Sequence, residues 1–272
     1  MWPTNLNFSK YMTENTENIG NSINWKLPIL VVFCAISFYA SLVSAACTDI
    51  AGPGVNWTGC DKSGLVLKNQ DLSGSVMSRI NLAGADLSGS RLEHVEFNFS
   101  NLSNARFDGA RMKGSRFVAV KAAGVSFKNA LLEGASFSRA QLDKADFSDA
   151  RLDKAKFYEA KATNASFKRA ALISANFEGT NLNKAIFDQA NMSSVNLKSA
   201  SMEFTSLKNA VLDHAIFDQA NLLSANFSNS NLSKASFREA LIDGAVFDGV
   251  NLSDAIWVDF KRCRSGSKGK CE

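Results

Sequence analysis

Two histidines, His94 and His214, are the only imidazole groups that the chain offers for acid–base catalysis or metal binding. Carboxylates are more frequent, with 26 Asp and Glu residues, but a catalytic carboxylate pair needs a pocket that separates the two pKa values. No Gly-x-Ser-x-Gly elbow is found in a strand-to-helix setting. Whether any of these groups can act together therefore depends on the fold that positions them.

The cysteines offer disulfide chemistry. Cys34 lies within an apolar stretch, whereas Cys47, Cys60, Cys263 and Cys271 form one local pair near each end of the remaining chain. Four cysteines allow three connectivities, of which 47 with 60 and 263 with 271 closes the shortest loops. Free thiols in a reducing compartment are the alternative. A zinc site would require the two ends to meet, and no CxxC spacing favours it.

Residues 1–46 have the layout of an export signal. A polar segment ends in Lys26, the apolar run "LPILVVFCAISFYASLV" follows it directly, and the small residues "SAA" come next. This layout suits cleavage by a signal peptidase. The same run is just long enough for a membrane anchor through residues 27–46, and "VSAAC" is similar to a lipoprotein box ending at Cys47. Each alternative predicts an exported protein, periplasmic or extracellular, with an uncleaved segment anchoring it to the inner membrane in the second case.

Composition points to a repeated unit. The 272 residues include 20 Phe but only 3 Pro, and the formal net charge is +4 from 30 basic and 26 acidic residues. A dedicated nucleic-acid binder would show a strong basic excess, and a nucleic-acid mimic a strong acidic one. We therefore expect no nucleic-acid partner, and the skewed composition calls for a search for repeats.

A period of five runs through the chain. In "ASFSRAQLDKADFSDARLDKAKFYEA" (135–160) a large apolar residue recurs every fifth position, with Ala two residues before it. This frame continues without insertion from Leu67 to Trp257. Residues two apart in an extended chain point to the same side, so the small and large residues face inward and the remaining two suit a corner. Repetition predicts a coil of parallel strands stacked about 4.8 Å apart.

A second period sets the number of sides. Large positions ending in 7 are mostly Phe and those ending in 2 are mostly Leu or Met. A coil of twenty residues stacks Phe on Phe along two opposite sides, whereas a coil of fifteen would mix the types, so four sides are favoured. His94 and His214 then lie at outward corners six coils apart, about 29 Å along one edge. They cannot form one site.

The segments "ANFEG", "ADLSG", "NLSNA", "ADFSD" and "ANFSN" resemble the motif of the pentapeptide-repeat family. The resemblance implies an all-β fold, a right-handed quadrilateral parallel β-helix of about ten coils with disulfide-closed ends. Some members of the family imitate duplex DNA and bind DNA gyrase. That activity requires an acidic face and a cytoplasmic location, which this slightly basic chain with an export signal does not suggest.

The frame also predicts how the chain is divided. Residues 1–46 form the polar segment with the signal or anchor, 47–66 an N-terminal cap, 67–257 the repeat helix and 258–272 a C-terminal disulfide loop. Trp57 and Trp257 are both in frame, ten coils apart, and are expected to cover the two ends of one side, with Lys62 the single break before Leu67. Ten coils predict a rod about 48 Å long.

One stretch of the repeat carries an excess of cations. We call the following six residues the basic belt, because they span more than one coil: Arg106, Arg111, Lys113, Arg116, Lys121 and Lys128. The tail adds five more cations between residues 261 and 270. Solvated charge that discourages aggregation is one interpretation, and contact with anionic envelope polymers or lipid head groups is the other.

These observations predict a non-enzymatic structural or interaction protein without catalytic residues, cofactor or metal. The expected role is that of a rigid exported rod presenting a polar surface to an unknown protein or envelope component. A secreted effector or surface adhesin that binds a protein partner is the alternative. The sequence leaves the oligomeric state open.

Overall fold

The computed structural model describes residues 47–272; the predicted signal or anchor in residues 1–46 lies outside them. Single-residue parallel bridges recur every five positions, and each joins a residue to the one twenty positions later, as in Asn56↔Val76 and Asp61↔Asn81. Twenty residues therefore make one coil with four strand positions. This confirms the predicted right-handed quadrilateral β-helix, with no α-helix among the described residues.

The four sides are numbered by the strand residues that bridge along them. Side 1 runs from Asn56 to Ile256 in steps of twenty, side 2 from Asp61 to Leu241, side 3 from Val66 to Val246 and side 4 from Asp71 to Asn251. The first coil thus begins inside the segment 47–66 that was assigned to the cap.

The core fills the centre of the coil, as the period of five predicts. Positions ending in 0, 2, 5 and 7 are buried along nearly the whole helix. Phe rings stack on side 1 from Phe97 to Phe177 with centroids 4.4–5.0 Å apart. On side 3 they stack from Phe107 to Phe187 at 4.7–5.1 Å. The predicted Phe columns on two opposite sides are confirmed.

Most polar residues at small inward positions form a hydrogen bond within the core, Ser230 being an exception. The Ser90 hydroxyl donates to the Leu67 carbonyl at 2.6 Å, and the Thr180 hydroxyl donates to the Phe157 carbonyl at 2.7 Å. Both side chains are completely buried. A buried hydroxyl without a partner would cost about 1–3 kcal/mol, so these bonds explain why Ser and Thr replace Ala there.

The second corner residue of each unit adopts positive φ. This position, with numbers ending in 4 or 9, is Gly in some units but Asn, Lys, Arg, Ser or another non-Gly residue in many others, such as Ala119 at φ 53°. Left-handed backbone costs a non-Gly residue roughly 1–2 kcal/mol. The corners therefore store backbone strain in most coils. The backbone hydrogen-bond ladders on either side of each corner hold the chain in this strained conformation.

Replacing Ala119 by Gly is expected to raise the free energy of unfolding by about 0.5–1 kcal/mol, because Gly removes the left-handed penalty at the expense of some unfolded-state entropy. Ala83 is the matched control, since it also lies at a corner but does not have positive φ. The change Ala83→Gly should lower stability by roughly 0.5–1 kcal/mol. Denaturant unfolding of both variants measures the effect, and shifts of the same sign would contradict the strain argument.

Candidate functional site

The two histidines lie at outward corners of side 4 in distant coils. The His94 ring lies against Gly114, the equivalent corner residue of the next coil. A Cβ atom added to Gly114 would come within 2.8 Å of the His94 Nδ1 atom. His214 Nδ1 is 3.2 Å from a carboxylate oxygen of Asp213. Six coils separate the two imidazoles, as predicted. No cluster of three or more His, Cys, Asp or Glu in residues 47–272 is arranged to hold a metal ion.

The basic belt winds around all four sides. Arg106, Arg111, Arg116 and Lys121 are the strand residues of sides 3, 4, 1 and 2 in one complete turn of the coil. Lys113 and Lys128 occupy the first corner positions of sides 4 and 3. Each of the four sides therefore carries one cation of the belt at the centre of a strand.

Half of the belt is neutralised by carboxylates. The guanidinium of Arg106 lies 2.8 Å from Asp108, and that of Arg111 lies 3.2 Å from Glu93 in the preceding coil. The Lys128 ammonium group lies 3.1 Å from Asp146 in the next coil. These pairs are exposed and stabilise the fold little, but they cancel charge that a partner would otherwise meet.

The other three cations of the belt, Lys113, Arg116 and Lys121, have no ion-pair partner among the described residues. All three side chains are exposed. They lie on sides 4, 1 and 2, so an anionic ligand that wraps around the rod could contact all three, whereas a flat one could contact fewer. The sequence identified the excess charge, but the pairing with Glu93 and Asp146 depends on the coil and was not predicted.

Many Asp and Asn residues at strand centres are occupied by local bonds. The Asp86 carboxylate accepts a hydrogen bond from the Ser88 hydroxyl at 2.6 Å and another from its backbone N–H at 3.1 Å, and Lys68 lies 3.0 Å away. The Ser88 hydroxyl contributes most to lowering the pKa of Asp86 to about 2. Such a carboxylate is a poor proton donor or acceptor near neutral pH. Its oxygen atoms instead stabilise the turn by accepting hydrogen bonds from Ser88.

Asn residues also pair between coils. The Asn101 side-chain amide donates to the side-chain carbonyl of Asn81 at 3.1 Å, and Asn251 donates in the same way to Asn231 at 3.0 Å. These ladders run parallel to the rod axis and add to the backbone bridges. Much of the polar surface is therefore engaged in holding the helix together.

The N-terminal end is closed by a disulfide and a lysine. Cys47 and Cys60 are bonded, thirteen residues apart. The Lys62 ammonium group donates to the Cys47 carbonyl at 2.7 Å and lies 4.5 Å from the ring centroid of Trp57, which is 1% exposed. Lys62 interrupts the apolar frame because its amphipathic side chain covers the end of the core. Sequence reasoning recognised the interruption but not this contact.

The C-terminal end is closed on two sides. Cys263 and Cys271 are bonded, eight residues apart. The segment 258–272 turns back and forms antiparallel bridges with the last strands of side 1, Ile256↔Arg262, and side 4, Asn251↔Lys268. Trp257 is partly buried and contacts the rings of Phe237 and Phe247, with centroids 5.4 and 5.3 Å away. Each end therefore carries one disulfide, and each disulfide joins the nearest cysteines.

The described residues include no helix that is long and apolar enough to cross a membrane.

A shallow depression of about 200 Å³ lies beside the C-terminal end, lined by the following residues: Lys198, Asp218, Gln219, Arg238, Glu239 and Phe260. Arg238 and Asp218 pair across it at 3.3 Å. Its polar groups largely bond to one another, so it is not an evident ligand site.

Solved structures of similar fold are pentapeptide-repeat proteins. The chain resembles HetL, involved in heterocyst differentiation regulation in the cyanobacterium Nostoc, at 22% identity and TM-score 0.45, covering 84% of this chain and 97% of that one. It also resembles QnrB1, a plasmid-mediated fluoroquinolone resistance protein, at 19% identity and TM-score 0.37, covering 62% and 87%. A protein from the thylakoid lumen of Arabidopsis thaliana matches at 22% identity and TM-score 0.18, covering 51% and 81%. No curated protein sequence matches.

Family signatures match most of the repeat. The pentapeptide repeat region matches residues 90–177 and 160–247, and the signature of eight pentapeptide repeats matches residues 63–98. The matched segments cover more than half of the chain, and proteins of this kind are generally non-enzymatic. The protein therefore belongs to the pentapeptide-repeat family.

Proposed function

We propose that the protein is an exported, non-enzymatic rod that acts as a spacer or an interaction surface outside the cytoplasm. The observation that carries this proposal is the pair of disulfides, Cys47–Cys60 and Cys263–Cys271, one at each end of the helix. Structural disulfides are typical of proteins in oxidising compartments. The apolar segment within residues 1–46, with small residues after it, supports the same compartment from the sequence.

The architecture supports a mechanical or binding role. Solenoid ends expose core and unpaired strands, and they are closed by atypical residues. Here the closing segments are covalently fixed, which suits a rod that must keep its length outside the cytoplasm. Most outward side chains are polar, and many of them form hydrogen bonds or ion pairs with one another, so much of the surface is hydrated.

Mass spectrometry of the protein isolated from its natural cell, with and without reductant, tests the proposal. We expect a chain that has lost its N-terminal segment, or retains it in the membrane fraction, and that gains four hydrogens on reduction because two disulfides open. A chain recovered from the cytosol with free thiols and an intact N-terminus would contradict export.

The three unpaired cations of the basic belt, Lys113, Arg116 and Lys121, favour a second candidate function, which is binding to an anionic envelope polymer. The double change Arg116→Gln with Lys121→Gln should weaken binding to a polyanion, because it removes charge that no carboxylate neutralises. Arg106→Gln with Arg111→Gln is the matched control, since it changes the net charge equally but removes cations that are already paired.

Binding to an anionic polysaccharide is measured at low and physiological salt. We expect the first variant to lose several-fold more affinity than the control, and the affinity of the unchanged protein to fall with salt. Equal losses in the two variants would show that net charge alone attracts the polymer. Binding that does not respond to salt would overturn this candidate.

A further inference from the structure

The C-terminal end of the rod is a step rather than a flat end. The segment 258–272 adds one layer over sides 1 and 4 through its bridges at Arg262 and Lys268. Sides 2 and 3 stop one layer lower, at Leu241 and Val246, and in the part of the chain that the structure describes nothing continues their ladders. Half of the end is therefore raised and half is open.

The open half presents unpaired strand edges. One coil earlier, four amides of sides 2 and 3 each donate to a carbonyl of the last coil at 2.8–3.0 Å, as Leu222 does to Leu241 and Phe227 does to Val246. The four equivalent amides of the last coil find no backbone acceptor within residues 47–272; they belong to Ile242, Gly244, Phe247 and Gly249. Such an edge is a template for another strand.

The open half also exposes apolar surface. Ile242 and Phe247 are partly exposed, whereas their counterparts one coil earlier are completely buried. Leu241 is 58% exposed. The apolar surface continues down side 2 through Leu223 and the exposed ring of Phe204, which are neighbours because the Phe204 amide donates to the Leu223 carbonyl. An apolar area next to an unpaired edge favours a strand that also brings apolar side chains.

The two halves of the step carry opposite charge. Residues 240–249, on the open half, contain Asp243 and Asp248 and no Lys or Arg. The raised half, residues 258–272, contains Asp259 and Glu272 but also the following five cations: Lys261, Arg262, Arg264, Lys268 and Lys270. The raised half of one molecule is thus complementary in charge to the open half of another.

We propose that the open half is filled by a second copy of this chain, which joins two rods end to end. The two copies are related by a two-fold axis perpendicular to the rod, which passes through the corner between sides 1 and 2 and through the corner between sides 3 and 4. Rotation about this axis places side 1 of one copy over side 2 of the other, and side 4 over side 3. The raised layer of each copy then lies over the open sides of the other, and both form one complete layer between the rods. The joint is isologous, as two-fold interfaces are.

The right-angled shape of the open edge favours a second copy over an extended peptide. Two adjacent sides need partners, and a single straight strand can pair with only one of them. The segment 258–272 already has the required bend, because it follows sides 1 and 4 of its own helix. In the joint, Arg262 of one copy lies over Leu241 of the other, and Lys268 lies over Val246.

Sedimentation of the purified full-length protein tests the joint. We expect a native mass twice the mass of the denatured chain and an association that weakens as salt increases. The change Asp243→Lys should weaken dimerisation about tenfold or more, because it places a cation under the basic layer of the second copy. Asp143→Lys is the matched control, since Asp143 occupies the same corner of side 2 five coils away, and it should leave the mass unchanged.

Cysteine cross-linking identifies the surface. The double variant Leu241→Cys with Arg262→Cys should form a disulfide between copies, since the two Cα atoms face each other at roughly the strand spacing, within disulfide reach. Asn221→Cys with Arg262→Cys, one coil farther down, should not. A monomer in sedimentation, or a dimer that tolerates Asp243→Lys and gives no cross-link, would overturn the proposal.

Discussion

Replacing Phe147 by Ala is expected to lower the free energy of unfolding by about 3–5 kcal/mol. The Phe147 side chain is completely buried. Its ring stacks on Phe127 and Phe167 with centroids 5.0 and 4.9 Å apart and meets the edge of Phe137 at 5.4 Å. Truncation removes all of these contacts and leaves a cavity in the middle of the rod.

The cavity should remain open because the backbone around it is fixed. The Phe147 amide donates to the Ser166 carbonyl at 2.7 Å, and the Phe127 amide donates to the Asp146 carbonyl at 2.7 Å. These ladders hold each coil at the distance of its neighbours, so the sides cannot move inward without breaking hydrogen bonds above and below. The loss should therefore fall in the upper part of the range for core truncations.

Two variants separate packing from other effects. Phe147→Leu should cost clearly less than Phe147→Ala, because it leaves a smaller cavity and because Leu207 fills the same column naturally. Phe99→Ala changes a ring that is 60% exposed and should have little effect. Denaturant unfolding measures all three, and hydrogen exchange should show the loss concentrated in the coils next to residue 147. If Phe147→Ala costs no more than Phe99→Ala, the Phe columns do not stabilise the rod as argued.

The inward positions were predictable because each unit repeats one environment. Ala145 and Phe147 face the core for the same reason as Ala135 and Phe137, so the pattern is reinforced through the whole repeat. The alternation of Phe with Leu predicted the number of sides in the same way. Packing selects these residue types strongly, and that selection is visible in the sequence.

The backbone of the corners could not be predicted from residue type. Phe204 and Ala119 adopt the same left-handed conformation as the glycines at equivalent positions, although neither residue favours it. The conformation is imposed by the ladders of the neighbouring coils. Local propensity is overridden here by tertiary structure.

The ends were the least predictable part, because the repeat stops there. The contact of Lys62 with Trp57 and Cys47 involves residues that a repeat frame treats as an error. The antiparallel pairing of Arg262 with Ile256 involves a segment without any period. The open sides 2 and 3 follow from this pairing, so the step that we propose as a joint has no signal in the repeat itself.

Opening the two disulfides is expected to lower the stability of the rod by about 3 kcal/mol for Cys47–Cys60 and about 2.5 kcal/mol for Cys263–Cys271. These values follow from the loop-closure entropy of the unfolded chain for separations of 13 and 8 residues. Cys60 and Cys263 are buried at the two ends of the core, so each bond also holds an end segment against it. The variants are Cys47→Ser with Cys60→Ala and Cys263→Ala with Cys271→Ser.

The two ends should respond differently. Without the N-terminal bond, Lys62 loses the fixed Cys47 carbonyl to which it donates, and exchange should accelerate in the first coil. Without the C-terminal bond, the bridges of Arg262 and Lys268 should open, exposing Trp257 and the last Phe rings to solvent, and tryptophan fluorescence should shift to the red. Because coils contact only their neighbours, the central coils should keep their protection in both variants. Uniform loss of protection along the rod would instead mean that the solenoid unfolds as one unit, with the ends controlling the whole.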